Sequence, residues 1–190
     1  MSLGPSDVVV GAWLVLALVW LIGSFATKAT VRQQSAASRL LEIGPLVVGF
    51  LLLRSNANLM EWLSSRFIPR GFAWQALGAL ITLAGVSVAI WARFYLGSNW
   101  SATVTVKQGH DLIRSGPYKF VRHPIYSGLL LAFLGTAILI GELRGLFALA
   151  LVTVAWKIKS LREESFMVSE FGEQYEQYRH QVKALIPFVW

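Results

Sequence analysis

Residues 8–25 read VVVGAWLVLALVWLIGSF, without one charged side chain. Roughly 20 consecutive apolar residues, coiled as a helix, match the hydrocarbon core of a bilayer. Four more segments qualify. Residues 43–60 are weaker, because Arg54, Asn56 and Asn58 interrupt their second half; residues 72–96 are long and apolar, with Arg93 near the end. Residues 125–140 and 145–156 flank a GELRG turn and read as a helical hairpin. The last of these reaches residue 161 if Lys157 and Lys159 run their stems along lipid and lift their ammonium groups to the interface.

The chain is 55% hydrophobic and only 14% charged, against about 25% charged in an ordinary soluble domain. The sequence therefore predicts an all-α integral membrane protein with about five transmembrane helices. A cleavable signal peptide is the competing reading of the first segment. Asp7 is the only early charge, no basic region precedes the apolar run, and no small-x-small cleavage site follows it. A retained span is expected.

With the N-terminus outside and five spans, 12 of the 17 basic residues fall on inner segments. Only Arg66, Arg70 and Arg144 fall outside, and Arg54 and Arg93 lie within spans. That bias predicts that the loop before the fourth span and the C-terminal tail share the cytoplasmic side. It also explains the net charge of +7 without nucleic acid, and no dense basic arm is present.

The chain has no cysteine, which excludes disulfides, thiolate metal sites and cysteine nucleophiles together. His110, His123 and His180 are too scattered to suggest a metal cage. No G-x-G pair, Walker A loop, H-E-x-x-H or G-x-S-x-G elbow occurs, so the usual signatures of dinucleotide folds, soluble methyltransferases and hydrolases are missing.

The chemistry concentrates in the second half. Residues 1–96 form an N-terminal unit of three spans, and residues 97–190 a unit holding two polar blocks around the hairpin. The first block, residues 97–126, contains a β-branched SATVTV stretch that suits a short strand. The second, residues 157–190, continues the fifth span as an amphipathic helix broken near Gly172, with Pro187 as its stop.

Each motif has a plain structural reading. Arg122-His123-Pro124 suits a helix entry, since proline costs nothing in a first turn, and tyrosines such as Tyr118 and Tyr126 favour membrane interfaces. Glu163 lies four residues after Lys159, an ordinary ion-pair spacing. FGEQYEQY, residues 171–178, reads as an aromatic packing seam. Ionisable groups at the end of a span are nevertheless functional candidates when they face a cavity. The residues alone give a small polytopic protein with a polar cytoplasmic site, and name no reaction.

Taken in order, Gly109-His110-Asp111-Leu112-Ile113, Gly116-Pro117-Tyr118, Arg122-His123-Pro124-Ile125-Tyr126-Ser127-Gly128, Glu163-Glu164, Phe171-Gly172-Glu173-Gln174-Tyr175 and Leu185-Ile186-Pro187-Phe188 resemble the isoprenylcysteine carboxyl methyltransferase family. The likeness covers residue 97 to the end, and the span count resembles that of short prokaryotic members. It implies an inner or plasma membrane enzyme that uses S-adenosylmethionine (SAM), yields S-adenosylhomocysteine, and methylates the carboxylate of a lipid-like substrate entering from the bilayer. It implies a cytoplasmic cofactor pocket built by the loop before the fourth helix and the C-terminal tail. Carried over by residue, it assigns cofactor contact to Thr103, His110, Asp111, Leu112, Ile113, Tyr118, His123, Pro124, Ile125, Tyr126 and Glu163. Lys159 stands where relatives have a substrate-side arginine, so the charge is kept and the bidentate fork is lost. Lys159, Arg122 and Glu163 are the implied catalytic residues, with the Lys159 or Arg122 cation orienting the acceptor and no metal involved.

Two rival enzymes remain. A phospholipid N-methyltransferase would need a base such as His123 or Glu164, because an amine acceptor must lose a proton. An NADPH-dependent sterol or enone reductase has a similar arginine-histidine-proline turn, but Ile125 and Leu129 replace the asparagine and glutamate expected after it. The small residues Gly78, Gly85, Gly128 and Gly135 fit helix packing within one chain or between two.

Overall fold

The computed structural model describes residues 3–24, 36–54, 61–97 and 112–186. These residues form six helices: α1 (Pro5–Ser24), α2 (Ala36–Arg54), α3 (Phe72–Leu96), α4 (Pro124–Ile140), α5 (Leu143–Phe171) and α6 (Glu173–Gln181). Single 3₁₀ turns occupy Glu61–Ser64 and Gly116–Lys119. Among the described residues there is no strand, only two isolated bridges, Arg66 with Glu142 and Val121 with Lys183. The expected SATVTV strand lies outside the described residues.

Helices α1 and α3 are each long and apolar enough to cross a bilayer, while α4 and the apolar part of α2 are shorter. Large apolar side chains point outward along α1, at Leu14, Leu18, Leu21 and Ile22, and along α5, at Val154, Ile158 and Leu161. Stripes of this extent suit contact with lipid.

Helix α2 takes in residues 43–54 of the expected 43–60 segment, and residues 55–60 lie outside the described residues. Its described span runs from Ala36 to Arg54, with Pro45 inside it.

The tightest packing joins α3 to α4. A Cβ built on Gly85 would lie 2.5 Å from the Gly128 carbonyl oxygen, and one on Gly128 would lie 2.6 Å from that of Gly85. Gly78 and Gly135 repeat the relation, each 2.6 Å from the other's carbonyl oxygen. The two backbones touch there, so the four glycines serve packing within one chain. Small residues at seven-residue spacing allow this approach, and polar side chains reinforce it. Thr82 Oγ1 and Thr136 Oγ1 lie 3.3 Å apart, and Trp13 Nε1 donates to Thr136 Oγ1 at 3.1 Å, bringing in α1.

An aromatic cluster closes the core on the other side of α4. Trp13, Phe50 and Phe133 meet edge to face with centroids 4.9–5.3 Å apart. Phe133 then contacts Trp156 of α5 at 5.8 Å. From Trp156 the rings continue by stacking through Tyr126, at 6.0 Å, to His123, at 5.6 Å. The core thus runs without interruption into the polar region at the start of α4.

Helix α5 is one unbroken helix of 29 residues, about 43 Å at 1.5 Å per residue. That exceeds a hydrocarbon core of about 30 Å, so its C-terminal turns project beyond the apolar segment. It ends as expected at Gly172, whose φ of 52° falls where a side chain is costly. The stop expected at Pro187 comes earlier. Helix α6 ends at Gln181 because Val182 turns extended and the tail pairs with the segment preceding α4. Arg122 N donates to Lys183 O at 2.8 Å and His123 N to Ala184 O at 3.0 Å.

Candidate active site

Proline at the first position of α4 leaves His123 as the residue before the helix, with a non-helical backbone. Its ring is thereby turned toward α5, which passes with Glu163 and Glu164 in succession. Glu164 Oε1 lies 3.0 Å from His123 Nε2, and Glu163 Oε2 lies 3.4 Å from His123 Nδ1. A neutral imidazole has one N–H; facing carboxylates with both nitrogens requires the imidazolium. Burial alone would push the His123 pKa down, but the hydrogen bonds and charges of Glu163 and Glu164 outweigh it and raise the group above its ordinary 6.5.

The carboxylates respond in the opposite sense. Burial disfavours ionised Glu163, yet the His123 hydrogen bond, the charges of His123 and Lys159, and the Tyr126 hydroxyl together hold its pKa below the ordinary value. Tyr126 Oη donates to Glu163 Oε1 at 2.6 Å. Glu164 is likewise penalised by burial and rescued by His123 and Arg122, ending at about 2. Arg122 donates to Glu164 Oε1 through Nε at 3.0 Å and Nη2 at 2.7 Å. Its Nη1 bonds the carbonyl oxygens of Arg179, at 3.2 Å, and Val182. Arg179 Nε stands 3.6 Å from Glu164 Oε2. The Arg122–Glu164 pair therefore joins α5, the start of α4 and the tail.

Lys159, one turn before Glu163, places its Nζ 6.0 Å from the Tyr126 ring centroid. Tyr118 is buried beneath α6, where its carbonyl oxygen accepts the Tyr178 hydroxyl at 2.6 Å. Burial raises the pKa of both phenols, so each stays protonated. Gly116, at φ 60°, starts the turn that carries Tyr118; a Cβ there would strike the Tyr95 ring at 2.5 Å.

Of the residues singled out in the sequence, His123, Tyr126, Glu163 and Lys159 converge on one face of α5, with Arg122 behind them. Pro124 is buried and Ile125 half-buried in the same helix turn, and Leu112 and Ile113 are half-buried at the approach to the 3₁₀ turn. Thr103, His110 and Asp111 lie outside the described residues. Sequence reasoning passed over Arg179, Tyr178 and Trp156 as members of the assembly, and gave Glu164 only the part of an optional base. The adjacency of two glutamates just past a span was the available signal for Glu164; nothing in the spacing marked the other three.

Comparison with known proteins agrees with the resemblance. The family model described as phospholipid methyltransferase matches residues 73–174. The protein-S-isoprenylcysteine O-methyltransferase of Schizosaccharomyces pombe is 40% identical over 103 residues, covering 52% of this chain and 43% of that protein. A probable enzyme of the same name from Oryza sativa subsp. japonica is 30% identical over 118 residues, covering 60% and 61%. A solved structure of the eukaryotic intramembrane Ras methyltransferase, isoprenylcysteine carboxyl methyltransferase, superposes with a TM-score of 0.52 at 28% identity, covering 84% of this chain and 55% of that one. The chain spans about half the length of several of these relatives. The matched stretch is more than half of the chain and contains α4, α5, all of α3 but its first residue, and His123, Glu163 and Glu164; on that ground the chain belongs to the phospholipid methyltransferase family.

Proposed function

We propose that this protein is a SAM-dependent membrane methyltransferase that esterifies the carboxylate of a lipid-like, isoprenylcysteine-type substrate. The observation that carries the choice of acceptor is the closed proton inventory around His123. Both its nitrogens face carboxylates, and Glu163 and Glu164 are held ionised with lowered pKa values. Among the described residues neither His123, Glu163 nor Glu164 is left as a strong base for an amine, which disfavours the N-methyltransferase alternative. A carboxylate acceptor is already ionised near neutral pH and needs none.

The donor set suits a sulfonium cofactor bearing an ammonium group. Ionised Glu163 supplies a carboxylate for that ammonium, and the stacked faces of His123, Tyr126 and Trp156 line the approach from the core. When bound, SAM supplies an electrophilic methyl group. The Lys159 cation orients the acceptor carboxylate, while the Tyr126 hydroxyl fixes Glu163. Arg122 is a positioning residue. Its bonds to Glu164 and to the carbonyls of Arg179 and Val182 support assigning acceptor contact to Lys159 instead. In-line displacement draws much of its rate from holding two reactants in register, which is work for a rigid frame.

In the proposed topology five helices cross the membrane, with the N-terminus outside and α6 cytoplasmic; the distribution of basic residues supports it. Calorimetric titration of the chain in nanodiscs tests the class. Micromolar binding of S-adenosylhomocysteine with no binding of NADPH is expected, whereas NADPH binding alone would move the site to the reductase reading. Methylation of an S-farnesylcysteine with a free carboxylate, but not of phosphatidylethanolamine, is the expected outcome with radiolabelled SAM.

A further inference from the structure

A cavity of about 290 Å³ opens between α5, α6 and the tail. Arg122, Lys157, Arg179, His180 and Lys183 line it, with Glu176 as the one carboxylate at its wall. Glu176 is occupied by Arg179, whose Nη1 lies 3.0 Å away. Arg122, Lys157, Arg179 and Lys183 carry permanent charge; Glu176 at the wall and Glu164 behind Arg122 offset part of it, and the remaining positive excess attracts an anion.

Its place on α5 sets it apart from Lys159 and Glu163, while Arg122, bonded to Glu164, is shared with the cluster. At 100° per residue, Lys157 and Glu164 share one row of the helix, whereas Lys159 and Glu163 sit roughly 120–160° around it. On the other flank of Lys157 runs the outward apolar stripe of Val154, Ile158 and Leu161, each about half exposed. Lys157 lies one turn, about 6 Å, before Leu161. The cavity is therefore bordered by lipid-facing side chains on one side and by the polar tail on the other. In the proposed topology this border falls at the level of phospholipid phosphates.

We propose that this cavity binds a phosphate oxyanion, presented by the headgroup of an anionic membrane lipid. Lys157 and Lys183 supply the charge from α5 and from the tail, and Arg179 and His180 present N–H donors from α6. Because the cavity joins the tail to α5, an occupying phosphate draws the two together. The inference rests on the topology proposed above, and not on the identity of the methyl acceptor.

The test is native mass spectrometry of the full chain in detergent, titrated with phosphatidylglycerol or phosphatidylcholine, beside calorimetry with inorganic phosphate. No methyl donor is added, so the result is independent of the catalytic reading. Wild-type protein is expected to retain phosphatidylglycerol in preference to phosphatidylcholine. Lys157→Gln and Lys183→Gln each lower that retention about fivefold, taking about 1 kcal/mol per interfacial cation. Lys157→Arg and Lys183→Arg preserve it, which separates loss of charge from loss of fold. Lysine-dependent binding of inorganic phosphate without preference for phosphatidylglycerol would keep the oxyanion site and assign it to a soluble phosphate. Retention and phosphate binding unchanged in both glutamine variants would overturn the proposal. The chain has no cysteine, so labelling of Lys183→Cys from the outer side would refute the topology separately.

Discussion

At the scale of single residues, the buried charges dictate how the protein responds to pH. His123 has its folded pKa raised above 6.5, so its stabilisation is complete below pH 6.5 and is lost as pH rises through the folded value. Glu163 and Glu164 are shifted the other way; theirs is complete above pH 4.5 and is lost on acidification, for Glu164 on the way down to about 2. Thermal unfolding followed from pH 5 to 9 should show a falling alkaline limb that His123→Gln abolishes; an identical limb in the variant would contradict the imidazolium assignment. Glu163→Ala is expected to abolish S-adenosylhomocysteine binding, and unchanged affinity in a titration would remove Glu163 from the cofactor site. Lys159→Ala should act differently, raising KM for a carboxylate acceptor while leaving S-adenosylhomocysteine affinity within about threefold, the scale of one exposed charge contact. The sequence offered these side chains individually, through motif and spacing. It did not indicate that Glu164 faces His123 and Arg122 while Glu163 faces His123 and Tyr126, because neighbouring residues on a helix point about 100° apart and only the packed partner distinguishes them.

At the scale of elements, the contact of α3 with α4 is the most sensitive. Replacing Gly85 or Gly128 with alanine puts a methyl group against the facing backbone, where neither side is a flexible side chain that can yield. Overpacking of this kind typically costs about 1–3 kcal/mol. Gly85→Ala and Gly128→Ala should each lower the midpoint of unfolding in mixed detergent by a corresponding amount, whereas Gly11→Ala on α1, where an added Cβ meets nothing within 4 Å, should be neutral or slightly stabilising. Helix boundaries were legible where a local signal sets them: Pro124 opens α4, and Gly172 closes α5. They were not legible where the stop is tertiary. Helix α6 ends at Gln181 because Lys183 and Ala184 are taken up by the backbone of Arg122 and His123, a pairing between segments far apart in the chain.

At the scale of the whole molecule, the polar end and the opposite end are built in the same manner, by arginines that tie separate elements together. At the end opposite the cluster, Arg144 Nε donates to Glu142 Oε2 at 2.7 Å and its Nη1 reaches the carbonyls of Leu52 and Leu53 at the end of α2. Arg66 pairs with Glu142 at 3.4 Å. The tail end uses Arg122 and Glu164 in the same way. Arg122→Lys keeps the charge and loses the fork, and is expected to release the tail, seen as faster amide exchange over residues 173–186, before it weakens helix packing. Unchanged exchange there would show that the backbone pairing alone holds the tail.

The sequence by itself determined the membrane setting, the helical class and which segments hold the clustered polar groups. Those follow from hydropathy, from charge placement and from residue types at short spacing, all of which act locally along the chain. Tertiary structure alone decided which of the two glutamates meets tyrosine and which meets arginine, that the glycine stripe packs within one chain, and that Arg122 braces the tail. Each depends on two elements approaching within about 3 Å, a distance set by the whole packed core and by no single segment of sequence.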